Sequence, residues 1–136
     1  MRKVQKSVGR HIVAELWGCN PEYLDDVSIV QDFMNKAARE AGATVLNSTF
    51  HTFQPHGVSG AVIIAESHLA IHTWSELGLA SIDIYTCGAK ADPWAAFKFL
   101  KKSFQAKKYT VLELKRGIFE ADESFELQEN YREQKL

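Results

Sequence analysis

A carboxylate, a hydroxyl and an imidazole follow one another at Glu66-Ser67-His68, inside the run AVIIAESHLAIHTWSE (Ala61 to Glu76), and a second imidazole, His72, stands four residues beyond the first. The flanking segments AVIIAE and SHLAIHTW have strand composition, so the polar step falls where a chain would otherwise continue its strand or turn through Gly or Asn. Three chemistries could use such groups. His68 and His72 have the i, i+4 spacing that lets two imidazoles share a zinc ion on a helix. On a strand, at about 3.3 Å per residue, they point the same way but lie ~13 Å apart, too far for one ion. Ser67, His72 and Asp83 offer the residue types of a hydrolase triad, yet AESHL lacks the G-x-S-x-G elbow that exposes such a nucleophile.

The third chemistry turns the same groups on the backbone. With the chain bent at Glu66-Ser67, the Ser67 hydroxyl attacks the preceding carbonyl and converts the amide to an ester, an imidazole taking its proton and nearby donors holding the oxyanion. Elimination then removes the seryl α-proton, releases a chain ending in Glu66 and leaves dehydroalanine, which hydrolyses to an N-terminal pyruvoyl group. The protein would make its own ketone. Taken singly, the other candidate groups have plainer readings. A strand cysteine such as Cys87 is usually a small buried hydrophobe, and Cys19, beside Asn20-Pro21, keeps that reading. His11, His51 and His56 read as structural, and Phe53 and Trp74 as core.

The elements that must carry these groups follow from periodicity. GRHIVAELWG (Gly9 to Gly18) alternates Ile12, Ala14 and Leu16 against His11, Val13, Glu15 and Trp17, the period of a half-buried strand. A loop, CNPEYLDD, precedes a helix capped by Asp26, on which Val27, Val30, Met34, Ala37, Ala38 and Ala41 recur until Gly42. ATVLNSTFHTFQ reads as a strand before the turn PHGVSG, and AVIIAE, SHLAIHTW and GLASIDIYTCG read as further strands of an antiparallel meander. Asp92 and Pro93 announce a second helix with Trp94, Phe97, Leu100 and Phe104 on its apolar side. YTVLELKRG is a last strand, and the charged tail 122–136 is expected to be loosely held. The economical architecture is α+β: one mostly antiparallel sheet with two helices packed on one face. The other face needs a cover, which favours a homodimer or a higher oligomer.

At 136 residues, 46% hydrophobic and 24% charged, the chain is expected to form a single domain, 1–136. A net charge of -1 and a pI near 6.5 give no general attraction to nucleic acid or anionic membranes. KFLKKSFQAKK reads as the solvated side of a helix. No run approaches the ~20 apolar residues of a membrane span, and MRKVQKSVGRH lacks the apolar core of a signal peptide, so a cytoplasmic protein with two free thiols is expected. The sequence offers no dedicated metal site.

AESHLAIHTW followed by IDIYTCG resembles the S-adenosylmethionine decarboxylase proenzymes of the short prokaryotic type, and the resemblance extends from GRHIVAELWGC through YTVLELKRG. Several separated motifs in the right order make it specific. It implies a decarboxylase-like sandwich fold and cleavage at Glu66-Ser67 into a β chain, 1–66, and an α chain, 67–136. It further implies that Ser67 becomes the covalently bound pyruvoyl group and Schiff-base site, that His72 serves processing with Ser59 in support, and that Cys87 is the proton donor of decarboxylation. Phe53, Trp74 and Glu76 fall where the family lines its substrate pocket, Phe53 against adenine. The implied activity converts S-adenosylmethionine to its decarboxylated form, the aminopropyl donor for spermidine and other polyamines. The family commonly has Pro where this chain has Ser75. Two alternatives stay open at this point: the same chemistry on arginine or ornithine, and a non-cleaving homologue that serves as a binding or regulatory subunit.

Overall fold

The computed structural model describes residues 1–127. Six strands, β1 (Lys3–Trp17), β2 (Val45–Thr52), β3 (Val58–Ile64), β4 (Ser67–Trp74), β5 (Leu79–Cys87) and β6 (Lys108–Asp122), form one sheet in the order β2-β3-β4-β5-β1-β6. Every neighbouring pair is antiparallel. Helices α2 (Val27–Glu40) and α3 (Pro93–Ser103) are the two long helices expected, capped by Asp26 and Asp92 side chains. CNPEYLDD is not all loop: Asn20 caps and Pro21 begins a five-residue helix, α1 (Pro21–Asp25). Strands β1 and β6 also run further than their apolar alternation, because they pair with each other from Lys3↔Asp122 to Trp17↔Lys108. Residues 128–136 of the predicted tail lie outside the described residues. No helix among those described is long and apolar enough to cross a membrane.

Alternation decides which side is covered. Ile12, Ala14, Leu16, Val62, Leu69, Ile71, Ile82 and Ile84 are buried and belong to one core with Val30 and Met34 of α2 and Phe97 and Leu100 of α3. The intervening residues of the same strands, among them His11, Val13, Glu15, Ile63, His68, His72, Trp74, Asp83 and Tyr85, occupy the face opposite the helices. Leu112 and Leu114 join them through their pairing with Val13 and His11, and both are about half exposed. The candidate groups in strand interiors, Ser59 and His72 among them, therefore lie on this open face.

One polar network fastens α3 to the sheet. The Glu113 carboxylate accepts from Arg10 at 2.8 Å, from Trp94 Nε1 at 2.7 Å and from Lys115 at 2.7 Å. These donors, Arg10 foremost, lower its pKa from 4.5 to about 2. A depressed carboxylate pKa adds stability that is present above the unfolded-state value and is lost as pH falls through the folded-state value. Glu113→Gln is therefore expected to cost about 1–2 kcal/mol at pH 7, with the two melting temperatures converging as pH is lowered from 4.5 toward 2. Thermal melts of both proteins across that range check this.

Candidate active site

Strands β3 and β4 are joined by only Ala65 and Glu66, with Ile64 paired to Ser67. Two-residue hairpin loops favour φ > 0 inside the loop, supplied by Gly, Asn or Asp. Ala-Glu supplies none of these, and the positive φ falls instead on Ser67, at 153°. A residue with a side chain stays in such a region only where its surroundings over-determine it, at a cost on the order of 1–3 kcal/mol. Here the tip is clamped from both sides. Ala65 N–H donates to the Thr44 carbonyl at 2.9 Å, and Thr44 N–H donates to the Glu66 carboxylate at 3.1 Å. From the other side, Cys87 N–H donates to the Glu66 carbonyl at 2.8 Å. That carbonyl belongs to the Glu66–Ser67 peptide, so the peptide leading into the positive-φ residue has a backbone donor aimed at the oxygen that would take negative charge during attack.

Cys87 itself ends β5, one residue past Thr86, the register partner of Ser67, and is half-buried on the open side. Gly9 faces Cys87 on β1, where a Cβ would lie 2.6 Å from the Thr86 carbonyl oxygen; only glycine lets the strands close here. Cys19 contrasts with Cys87. Its thiol donates to the Leu16 carbonyl at 3.5 Å, and burial pushes its pKa up to about 11, leaving an inert thiol.

A second cluster crosses the middle of the open face. Ser59, His72, Ser81 and Glu15 occupy successive register positions on β3, β4, β5 and β1. Ser59 Oγ lies 2.7 Å from His72 Nδ1, and the Ser81 hydroxyl donates to the Glu15 carboxylate. Ser67 is not part of this cluster. His72 lies five residue steps further along β4, which at ~3.3 Å per residue is ~17 Å. The Ser67, His72, Asp83 triad is likewise not assembled, for Asp83 pairs with His11 Nε2 at 3.1 Å. His11 stacks on Tyr85, over which the Arg116 guanidinium also sits, with His68 edge-on to the same ring. Burial, with the charges of His11 and Arg116, lowers the pKa of His68. Among the described residues no three His, Cys, Asp or Glu side chains converge as a metal site.

The aromatic candidates lie at the far end of the sheet from Ser67. Trp74 is 41% exposed, its ring 6.4 Å from that of His72, and Phe53, 47% exposed, follows β2 with its N–H on the Gly57 carbonyl. Glu76 is exposed on the short 3-10 turn Ser75–Leu77. Ser75, standing where the family commonly has Pro, is buried and hydrogen-bonds to the Asp25 carboxylate, which also accepts from Gly57 N–H at 2.9 Å and from His56 at 3.2 Å. Burial alone would raise the Asp25 pKa, but these donors together hold it below the ordinary value. A carboxylate thus ties together α1, the loop before β3 and the turn carrying Glu76.

Sequence reasoning passed over Thr44, Glu15, Ser81 and Asp25. Each earns its place through a partner distant in the chain, and only for Glu15 and Ser81 did a sequence signal exist, their alternation onto the face that carries His72.

Known proteins share this arrangement of sequence and fold. A family model described as S-adenosylmethionine decarboxylase matches residues 10–117. The S-adenosylmethionine decarboxylase proenzyme of Thermotoga petrophila is 54% identical over 115 residues, covering 85% of this chain and 88% of that protein. The proenzyme of Pelotomaculum thermopropionicum is 53% identical over 113 residues, covering 83% and 90%. The crystal structure of the adenosylmethionine decarboxylase from Aquifex aeolicus superposes with a TM-score of 0.81 at 36% identity, covering 89% of this chain and 99% of the other.

Proposed function

The chain belongs to the S-adenosylmethionine decarboxylase family, and from that membership we propose how its own residues carry the reaction. It is a decarboxylase of S-adenosylmethionine made as a proenzyme, and its product is the aminopropyl donor of polyamine synthesis. Ser67 cleaves the chain. Its Oγ adds to the Glu66 carbonyl carbon, the C–N bond breaks to leave an ester, and elimination of the Ser67 α-proton separates residues 1–66 from 67–136. Residue 67, left as dehydroalanine, tautomerises to its imine, to which water adds as ammonia leaves, giving the pyruvoyl group. The observation that carries this reading is the hairpin tip: a positive φ at Ser67 beside a carbonyl held at 2.8 Å by the Cys87 N–H.

The base for this step comes from a second copy of the chain. His72, oriented through Nδ1 by Ser59 and leaving Nε2 for the proton, is ~17 Å from the Ser67 of its own strand. A two-fold axis lying between two open faces and running across the strands turns one end of β4 over the other. Packed at the ~10 Å spacing of stacked sheets, each Ser67 then meets the partner's His72 end, giving two composite sites per homodimer. The same docking covers Ile63, Leu112 and Leu114, which are otherwise 44%, 52% and 45% exposed.

When formed, the pyruvoyl group supplies the electron sink that lets CO2 leave an α-amino acid. The chain's residues do the rest. Cys87, beside residue 67, returns the proton to the substrate carbon. Phe53 and Trp74, from the partner copy, give aromatic faces for the adenine and the sulfonium, and Glu76 lies beside them for a polar contact. Intact-mass spectrometry should find fragments 1–66 and 67–136, the second lacking a seryl N-terminus, and CO2 should be released from S-adenosylmethionine rather than from arginine or ornithine. A permanently uncut chain, or release from arginine or ornithine instead, would overturn the proposal.

A further inference from the structure

Phe53 and Glu76 stand just past the last ladder pairs of their strands, Thr52↔Val58 and Trp74↔Leu79, so the sheet alone fixes neither of them. The group that reaches both segments is the Asp25 carboxylate at the end of α1. On one side it accepts from Gly57 N–H at 2.9 Å and from His56 at 3.2 Å; on the other it accepts from the Ser75 hydroxyl. The Gly57 carbonyl in turn takes the Phe53 N–H at 2.8 Å, and Ser75 is the residue before Glu76. The base from which Asp25 reaches is firm. The buried Thr73 hydroxyl donates to the Leu24 carbonyl at 2.7 Å and accepts from Val58 N–H at 2.8 Å, fastening α1 to β3 and β4. α1 makes no use of the Asp25 side chain itself, since Asp26 N–H closes the helix on the Tyr23 carbonyl and a carboxylate at a helix C-terminus gains nothing from the dipole. Gly57, at φ 102°, is fitted to its place: a Cβ there would lie 2.8 Å from the Thr73 carbonyl oxygen.

We propose that Asp25 is a positioning residue for substrate binding: by holding the loop of Phe53 and the turn of Glu76 to one anchored carboxylate, it sets the gap that admits the adenine ring and the sulfonium. Asp25 does not touch the substrate. It acts through Gly57 on Phe53 and through Ser75 on Glu76, and it serves the Ser67 of the partner copy, as those two residues do. This inference rests on the assignment of Phe53, Trp74 and Glu76 to the substrate and adds to it the group that fixes their spacing. Self-cleavage lies outside its reach, because Ser59 and His72 pair with each other inside the β3–β4 ladder and are held without Asp25. Binding and cutting therefore separate, and the separation can be measured.

The test is steady-state CO2 release from S-adenosylmethionine by wild type, Asp25→Ala, Asp25→Asn and Ser75→Ala, beside an intact-mass time course of self-cleavage and a thermal melt of each. Asp25→Ala is expected to raise KM about tenfold or more while kcat and the cleavage rate stay within about threefold of wild type, because the contacts it loosens are made alike in the ground and transition states. Asparagine keeps an oxygen for the Gly57 N–H at the same reach, so Asp25→Asn should recover part of the loss. Ser75→Ala frees only the turn of Glu76 and should raise KM by a smaller factor. Added to Asp25→Ala it should change nothing further, the shared partner being already gone. If Asp25→Ala melts low, Asp25→Asn and Ser75→Ala are read by the same rule. A purely structural carboxylate predicts instead a lower melt with cleavage, kcat and KM worsened together. That outcome overturns the inference, as does an unchanged KM in Asp25→Ala or two KM effects that simply multiply. A wild-type chain that stays uncut or releases no CO2 would instead sink the reading of the site on which this depends.

Discussion

Ser67→Ala should remain one 15.3 kDa chain indefinitely and release no CO2 from S-adenosylmethionine, a loss of about 10⁴-fold or more. The size of the effect follows from what is removed. Alanine keeps the hairpin, the Thr44 clamp and the Cys87 N–H on the Glu66 carbonyl, so binding surfaces and fold persist while the hydroxyl of the residue that follows that carbonyl is gone. Without it neither the ester nor the ketone can form, and decarboxylation loses its electron sink entirely. Intact mass, a CO2-release assay and a thermal melt together make the check. A variant that melts like wild type, stays whole and does nothing is the expected result; an uncut Ser67→Ala chain that still decarboxylates would refute the role of residue 67.

The second large effect appears only on mixing. His72→Ala alone is expected to slow cleavage by about 10²–10⁴-fold, the usual contribution of a general base. Ser67→Ala alone cannot be cut. In a heterodimer of the two, one composite site combines both losses and the other combines an intact Ser67 with an intact His72. Unfolding and refolding an equal mixture should therefore let about half of the His72→Ala chains be cleaved at the wild-type rate, while the Ser67→Ala chains stay whole. Mass spectrometry distinguishes the two products directly. If base and nucleophile belonged to a single chain, mixing would change nothing. The ~17 Å between Ser67 and His72 along β4 is the reason to expect rescue.

Much of this was open to a reader of the sequence alone, for definable reasons. GLASIDIYTCG became β5 with its alternation intact, because a strand with one covered face must repeat every second residue. Asp26 and Asp92 marked the two long helices, since a cap is a local interaction requiring no knowledge of the rest of the fold. Glu66-Ser67 stood out as a polar step between strands and proved to be a hairpin tip. Other features were out of reach or passed over. The five residues of α1 carry too little periodicity to register, although Asn20 and Pro21 are a start signal. Thr44 and Asp25 act through hydrogen bonds to chain 22 and 32 residues away, and no local pattern announces such partners. The remoteness of His72 from Ser67 was calculable by the same strand arithmetic that separated His68 from His72, since SHLAIHTW reads as one strand and is β4.

The strand order β2-β3-β4-β5-β1-β6 has a bearing on what a cut at residue 66 leaves behind. Severed there, the first fragment owns β1, β2 and β3 and the second owns β4, β5 and β6, yet β1 is threaded between β5 and β6 with hydrogen bonds on both edges. The two polypeptides are interleaved, like fingers of two hands, and neither can leave without tearing the other's sheet apart. Scission therefore needs no tether to keep its products together, and it runs only one way: once such a pair has come apart, reassembly is a bimolecular search by two halves of a fold, and the link that made the proenzyme a single folding unit is gone.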